Sequence, residues 1–184
     1  MIANTSNALF FLITAVLDLA LCAFLLRLML QLVRADFYNP ISQLIWRLTQ
    51  PVVGPLGRVV PRWQRLDLAT ALVVVLIALI YIEVVAGLLQ QAVGWGVALW
   101  LALLKVFSLA LNIYTLSLFA MAILSWVGPG VSNPTANVLF SLNEPLLRPV
   151  RRILPPFRGL DLSPIPVMLL LQFLDRLLPL GVFR

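Results

Sequence analysis

The side chains that could do chemistry in this sequence include a few ionisable residues inside long apolar stretches. Asp18, Glu83 and Lys105 each lie within such a stretch. Charged groups in apolar segments are costly and mark ion paths, proton relays or interhelical ion pairs. We expect a polar network in which Glu83 pairs with Lys105 and Asp18 pairs with Asn112. An ion or proton path through Asp18 and Glu83 is the alternative, and the near balance of acids and bases favours pairing.

Catalytic and metal-binding side chains are otherwise scarce. The sequence has no histidine, so the commonest general base and metal ligand is absent. The single cysteine, Cys22, provides no cluster for zinc or iron–sulfur ligation. No glycine-rich phosphate loop and no nucleophile motif occurs. We therefore predict no catalytic, cofactor-binding or metal-binding residue and no enzymatic activity.

Arginines supply a second set of candidate functional residues. Pro51–Pro61 and Pro145–Pro155 each interleave arginine with apolar residues. A basic residue near an anionic lipid surface contributes about 1 kcal/mol of attraction, and a backbone held by prolines loses little entropy when it binds a partner. Contact with anionic phospholipids and docking of a protein both remain open. The candidate residues are Arg47, Arg58, Arg62, Arg148, Arg151, Arg152 and Arg158.

Both sets of residues lie on a sequence that repeats itself. When the chain is shifted by 94 residues, Asn39-Pro40 falls on Asn133-Pro134. The register persists through a loop, where sequence normally drifts. Residues 1–94 and 95–184 are therefore expected to form two copies of one unit. The aligned residues of the first loop are Pro51, Pro55, Arg58, Pro61 and Asp67, and their counterparts are Pro145, Pro149, Arg152, Pro155 and Asp161.

The composition is that of a membrane protein. Mean hydropathy is +1.04 and 62% of the residues are hydrophobic, above the range of soluble domains. About 20 apolar residues cross a bilayer core. The predicted spans are residues 8–33, 69–93, 102–127 and 163–183, with an interfacial linker at 95–101. We predict an all-α membrane protein with four transmembrane helices, arranged as two parallel helix–loop–helix repeats.

The distribution of arginine predicts the orientation of these spans. The loops at 34–66 and 128–160 together hold nine arginines, whereas on the opposite side only Arg184 is basic. Basic residues accumulate on the cytoplasmic side of membrane proteins. We therefore expect both loops in the cytoplasm and both termini in the periplasm of a bacterial inner membrane. Two units that each cross twice then point the same way.

Each loop is predicted to contain an interfacial amphipathic helix. Residues 41–48 place apolar side chains at 41, 44, 45 and 48, which is the spacing of one helical face. Residues 138–142 are the counterpart in the second loop. Because proline disfavours helix at the residue before it, we expect these helices to end before Pro51 and Pro145.

Two aspartates mark where the second and fourth spans are expected to begin. Asp67 and Asp161 are suited to cap a helix N-terminus and to complement its dipole. An arginine lies nine residues earlier in each loop. We therefore expect the ion pairs Arg58 with Asp67 and Arg152 with Asp161.

The second loop resembles the signature of a known family. Residues 143–164, Asn-Glu-Pro-Leu-Leu-Arg-Pro-Val-Arg-Arg-Ile-Leu-Pro-Pro-Phe-Arg-Gly-Leu-Asp-Leu-Ser-Pro, are similar to the signature of the YggT family, also called YlmG. Asp36–Pro40 and Thr49–Pro55 resemble the first-repeat form of its proteobacterial members. The resemblance covers essentially the whole chain. Glu144 departs from the signature, in which aspartate is commoner at this position.

This resemblance implies a bacterial inner-membrane protein with relatives in cyanobacteria and plastids. Through the family it implies links to osmotic and potassium tolerance, to a cell-division gene neighbourhood, to plastid nucleoid distribution and to cytochrome assembly. It implies no enzymatic reaction and brings no catalytic residue or cofactor to this chain.

Two functions are consistent with these residues. The first is a non-catalytic inner-membrane scaffold or assembly factor that presents two basic, proline-rich loops to a membrane or cytosolic protein and to anionic phospholipids. The second is a small protein of ion or osmotic homeostasis, or a channel subunit, that uses Asp18 and Glu83. A homo-oligomer is compatible with either function, and no direct contact with nucleic acid is expected.

Overall fold

The protein is described by a computed structural model over residues 2–35, 39–60, 66–127, 134–154 and 161–183. Six α-helices form within these ranges. They are α1 (Ile2–Leu32), α2 (Pro40–Leu56), α3 (Leu68–Leu88), α4 (Trp95–Val127), α5 (Pro134–Ile153) and α6 (Pro164–Leu177), and a short 3₁₀ helix follows at Gly181–Phe183. The predicted all-α class is therefore confirmed.

Three helices of the described chain are long and apolar enough to cross a membrane. They are Ala8–Leu32 within α1, Leu68–Leu88 in α3, and Trp95–Leu124 within α4, with hydropathies of 2.6, 2.8 and 1.9. Each coincides with a predicted span. Residues 95–101, which we expected to form a linker, are helical and continuous with α4. This stretch contains no proline to interrupt the helix.

The helix at the predicted fourth span is short. α6 has 14 residues, which corresponds to about 21 Å at 1.5 Å per residue and falls short of a hydrocarbon core of about 30 Å. Leu178 has extended backbone angles, φ −71° and ψ 129°, as expected for the residue before Pro179. The proline therefore ends α6, and four long spans are not present in the described residues.

Both loop helices run through their prolines, so the predicted ends before Pro51 and Pro145 were wrong. α2 continues to Leu56, and α5 continues to Ile153. The two interior prolines of each helix are four residues apart and therefore share one face. All of them are exposed. Because each proline removes only its own bond to residue i−4, the losses fall on the exposed face and the buried face keeps its hydrogen bonds.

The helices pack in the same pattern in both repeats. α1, α2 and α3 contact one another, and so do α4, α5 and α6. Packing of α3 and α1 against α4, and of α2 and α1 against α5, joins the two groups. A larger apolar core includes Leu21, Val74 and Ile82, all almost fully buried. A smaller core includes Leu118, Leu147 and Leu171.

Candidate functional site

A buried arginine of α1 binds the first loop helix. The Arg27 side chain is only 3% exposed. Its Nη1 donates to Oγ1 of Thr49 at 2.9 Å, and its Nη2 donates to Oε1 of Gln50 at 3.0 Å. The guanidinium carbon lies 4.1 Å from the centroid of the Trp46 ring, within the range of a cation–π contact. Arg27 therefore attaches α2 to α1 through contacts with three residues of α2.

The same arginine meets the start of α3. Asp67 is the N-cap of α3 and accepts from the backbone N–H of Thr70 at 3.5 Å and from its hydroxyl at 2.8 Å. Nη2 of Arg27 lies 3.7 Å from Oδ2 of Asp67. The predicted cap at Asp67 is confirmed. The predicted partner Arg58 was wrong, since Arg58 is exposed and only shares a cavity of about 110 Å³ with Arg27 and Asp67.

In the second repeat an arginine of the loop helix takes this role. Arg151 donates from Nε to Oδ2 of Asp161 at 2.8 Å and from Nη1 to Oε2 of Glu144 at 2.8 Å. The predicted partner of Asp161, Arg152, is instead exposed. Since α5 continues to Ile153, each residue turns about 100° from the previous one. Arg151 then shares a face with Glu144, seven residues earlier, and Arg152 turns away.

The Asp161 carboxylate is held by charge and by hydrogen bonds. It accepts from the backbone N–H of Ser163 at 2.9 Å and from the Ser163 hydroxyl. Partial burial by itself would raise the pKa of this carboxyl. The Ser163 hydrogen bonds and the Arg151 guanidinium outweigh burial and hold the pKa below its ordinary value. Asp161 precedes the helix by three residues, and Ser163 is the N-cap residue of α6.

This lowered pKa predicts a loss of stability in acid. A carboxyl with a depressed pKa in the folded state stabilises the protein above its unfolded pKa of about 4, and this contribution disappears as pH falls through the folded pKa. We expect the unfolding temperature in detergent to drop more between about pH 6 and about pH 3 for the wild type than for Asp161→Asn. Thermal unfolding followed by circular dichroism measures the difference. Equal acid sensitivity of the two proteins would contradict it.

Inside the apolar helices, the predicted pairs were wrong because Lys105 pairs with Asp18. The two charged atoms lie 2.9 Å apart. The Lys105 ammonium also lies 4.0 Å from the centroid of the Tyr81 ring. Glu83 is exposed, since it follows Tyr81 by two residues and points about 200° away around α3. Lys105 thus joins α1, α3 and α4 at one point.

The other predicted member, Asn112, bonds within its own helix. Its amide donates to the backbone carbonyl of Ser108 at 2.9 Å, and its side chain is exposed. The Ser108 hydroxyl donates in turn to Asp175 of α6. Asn112 therefore bonds to the residue of α4 that contacts α6, and Asp18 pairs with Lys105 instead.

A buried hydrogen bond between α4 and α5 was not predicted from the sequence. The Ser117 hydroxyl donates to Oδ1 of Asn143 at 2.8 Å, and Asn143 is fully buried. The repeat contained the signal, because a shift of 94 residues places Asn143 on Thr49. Thr49 binds Arg27 of the preceding span. Both repeats therefore attach the loop helix to the preceding long helix through a buried polar residue at the same position.

The candidate arginines lie mostly on the surface. Arg47, Arg58, Arg148 and Arg152 are exposed, whereas Arg151 is partly buried by its ion pairs. Arg62 and Arg158 lie outside the described residues. Among the described residues no group of three or more histidine, cysteine, aspartate or glutamate side chains is arranged to hold a metal ion.

The two halves enclose an apolar groove of about 290 Å³ between the long helices and the loop helices. Cys22 and Leu26 of α1, Ile45 of α2, Leu116 of α4 and Leu142 of α5 are among the side chains that line it. A dry apolar cavity of about 150 Å³ accommodates benzene. The groove therefore has room for roughly a dozen carbon atoms of an alkyl chain.

Comparison with known proteins places this architecture in a family. The sequence profile of CCB3/YggT matches residues 6–89 and again residues 100–183. The second match begins and ends 94 residues after the first, and this offset equals the shift of the sequence repeat. No solved structure matches the chain.

Proteins of several bacteria resemble the chain over most of its length. The uncharacterized protein YggT of Escherichia coli is 40% identical over 171 residues, which are 92% of this chain and 88% of the relative. The uncharacterized protein PA0392 of Pseudomonas aeruginosa is 41% identical over 168 residues, 87% of this chain and 82% of the relative. A protein encoded in the proC 3′ region of Vibrio alginolyticus is 41% identical over 94% of both chains. The chain therefore belongs to the CCB3/YggT family of membrane proteins.

Proposed function

We propose that the chain is a non-catalytic inner-membrane scaffold or assembly factor, which presents two basic loop helices to a protein partner and to anionic phospholipid. The attachment of each loop helix to the preceding long helix carries this proposal. Arg27 binds Thr49 and Gln50 in the first repeat, and Ser117 binds Asn143 in the second. A helix held in place before binding loses little conformational entropy when a partner docks.

The surface of α2 supports an interfacial position. Leu44, Leu48 and Val52 are four residues apart, lie on one face, and are 58%, 64% and 48% exposed. Gln43 and Arg47 occupy a different exposed face. An amphipathic helix of this kind lies in the membrane surface, with its apolar face among acyl chains and its cations at the phosphates. The apolar groove between the repeats is suited to an acyl chain of the same lipids.

We propose that both loop helices lie on the cytoplasmic face and that both termini are periplasmic. The arginines of the loops support this orientation. In this arrangement α1, α3 and α4 cross the membrane. α6 and residues 178–183 together form a fourth, shorter crossing that brings the chain end to the periplasm.

This topology predicts the labelling of introduced cysteines. Gly57 follows α2 and Gly94 precedes α4, and both positions are exposed. In a Cys22→Ser background, Gly94→Cys is expected to react with a membrane-impermeant maleimide in intact cells. Gly57→Cys is expected to react only after the inner membrane is permeabilised. Labelling of Gly57→Cys in intact cells would place the loops in the periplasm and contradict the orientation.

The ion-homeostasis function has weaker support from the geometry. Asp18 is neutralised by Lys105, and Glu83 points away from this ion pair around α3. The two carboxylates therefore do not line a common path. A growth assay at high osmolarity, in cells that lack the native chain, separates the two functions when the sets of residues are changed separately.

The scaffold function predicts a large effect of the exposed loop arginines. Each contributes about 1 kcal/mol at an anionic surface. Replacing Arg47, Arg58, Arg148 and Arg152 by glutamine is therefore expected to weaken binding to short-chain phosphatidylglycerol by at least about tenfold, and to abolish complementation. Titration of the purified proteins by thermophoresis measures the affinity. Asp18→Asn/Glu83→Gln is the matched variant and should retain both properties, and loss of complementation with this variant alone would favour ion transport.

A further inference from the structure

The seam between α3 and α4 joins the two repeats and is tightly packed. Ala98 and Ala102 of α4 are fully buried, and so are Ala78 and Ile82 of α3. At its middle, the Lys105 ammonium lies over the Tyr81 ring. The seam packs the second helix of one repeat against the first helix of the next. It shows how two of these units associate side by side.

When the positions of the seam residues are shifted by 94, their counterparts lie on two exposed surfaces, one on α6 and one on α1. α6 is the counterpart of α3, and α1 is the counterpart of α4. Within the described residues, α6 packs against α4 and α5 and makes no comparable interface with α1. The counterparts of Ala78, Ile82, Ala102 and Lys105 are Gln172, Arg176, Ala8 and Phe11, and all four are exposed. For example, Lys105 in the seam is 5% exposed, whereas its counterpart Phe11 is 71% exposed.

The exposed face of α6 is also polar, and in the proposed topology it lies in the membrane. Gln172 is exposed, and Asn112 is exposed on the neighbouring α4. Asp175 lies one turn from Gln172 and binds Ser108 of α4. Polar side chains in a bilayer normally face another helix, because an amide in hydrocarbon loses its hydrogen bonds with water. This surface therefore requires a covering helix.

We propose that a second copy of this chain supplies the covering helix, with α6 of one copy packed against α1 of the next. The contact reproduces the α3–α4 seam between molecules. Each copy carries the counterparts of both sides of the α3–α4 seam, one on α6 and one on α1, and this favours a second copy over an unrelated protein. Such a contact joins two different surfaces and is head-to-tail, so repetition about an axis along the membrane normal produces a ring. The assembly does not depend on whether the loop helices bind a partner.

Disulfide cross-linking between differently tagged chains tests this contact. Both chains carry Cys22→Ser. One also carries Phe11→Cys, and the other carries Arg176→Cys. Mild oxidation of native membranes is expected to yield a disulfide product that contains both tags. Leu76→Cys replaces Arg176→Cys in the control, because Leu76 is 45% exposed on α3 outside the proposed contact, and the product should be lost.

Three results would overturn the proposal. Cross-links only between identical positions would indicate a two-fold contact. In a chain that carries both Phe11→Cys and Arg176→Cys, formation of only an intramolecular disulfide would place α6 against its own α1. Cross-links only to another membrane protein would assign the surface to that protein.

A second measurement separates the contact from folding. Ala8→Trp fills the proposed contact on α1, whereas Leu9→Trp adds the same ring on the next residue, about 100° around the helix. Native mass spectrometry from detergent is expected to show loss of oligomer for Ala8→Trp and retention of oligomer for Leu9→Trp. Circular dichroism should show that both variants are folded. A wild type that remains monomeric in both detergent and nanodiscs, without the cross-link, would also refute the proposal.

Discussion

Replacing Arg27 by methionine is expected to destabilise the protein by about 3–5 kcal/mol, because it leaves the buried Asp67 without its cation. The side chains of Arg27 and Asp67 are 3% and 10% exposed. The change also removes the hydrogen bonds to Thr49 and Gln50 and the contact with Trp46. Since these contacts attach α2 to α1, protease cleavage within α2 should accelerate. Thermal unfolding in detergent and limited proteolysis measure the two effects.

Second-site variants distinguish the ion pair from simple packing. Asparagine is as good an N-cap as aspartate, so Asp67→Asn removes the charge and keeps the cap of α3. Arg27→Met/Asp67→Asn should therefore be more stable than Arg27→Met alone. Arg34→Met is the matched control, because Arg34 is exposed just beyond the end of α1, and its stability should match the wild type. If the stability losses of Arg27→Met and Asp67→Asn were additive in the double variant, the ion pair would not account for the effect of Arg27→Met.

The long helices could be predicted from the sequence because their length and hydropathy are properties of the chain itself. α1, α3 and α4 lie where the apolar stretches placed them. The fourth stretch contains only a short helix, because Pro179 ends α6 after 14 residues. The loop helices were judged too short for a related reason. Proline propensity is local, whereas packing of Val53 and Leu147 in the core keeps the helix intact beyond Pro51 and Pro145.

Asp18 and Lys105 were predicted to belong to a polar network, but their pairing with each other was not. The side chains of Arg151 and Arg152 point in different directions because of the rotation of the helix, and so do those of Tyr81 and Glu83. These directions can be predicted only when the helix bounds are known. The contacts of Arg27 could not be predicted, because nothing in the sequence shows that α2 folds back over the end of α1. The repeat held one unused clue, namely that Thr49 and Asn143 are counterparts and both are polar. Partner choice depends on the approach of distant helices, which spacing along the chain does not report.

The second large effect is expected at Lys105 and Asp18, where the loss of either charge leaves the other without its partner. The Lys105 side chain is 7% exposed, whereas that of Asp18 is 38% exposed. Asp18→Leu leaves a deeply buried ammonium with only the Tyr81 ring, and a loss of about 3–5 kcal/mol is expected. Lys105→Met leaves the Asp18 carboxylate without its cation on a helix whose exposed surface faces lipid or detergent, and a comparable loss of about 3–5 kcal/mol is expected. Thermal unfolding of both variants in detergent measures the two losses.

The double variant and a control decide whether the ion pair is responsible. Asp18→Leu/Lys105→Met removes both charges and should recover most of the stability lost by Asp18→Leu, since apolar replacement of a whole buried pair is often neutral. Asp18→Asn should lie between wild type and Asp18→Leu, because the amide oxygen still accepts a hydrogen bond from the ammonium. Glu83→Gln should unfold like the wild type, as Glu83 is exposed and turned away from Lys105. If Glu83→Gln were instead as damaging as Asp18→Leu, Lys105 would have to face α3 through Glu83, and the junction of α1, α3 and α4 would differ from the one described.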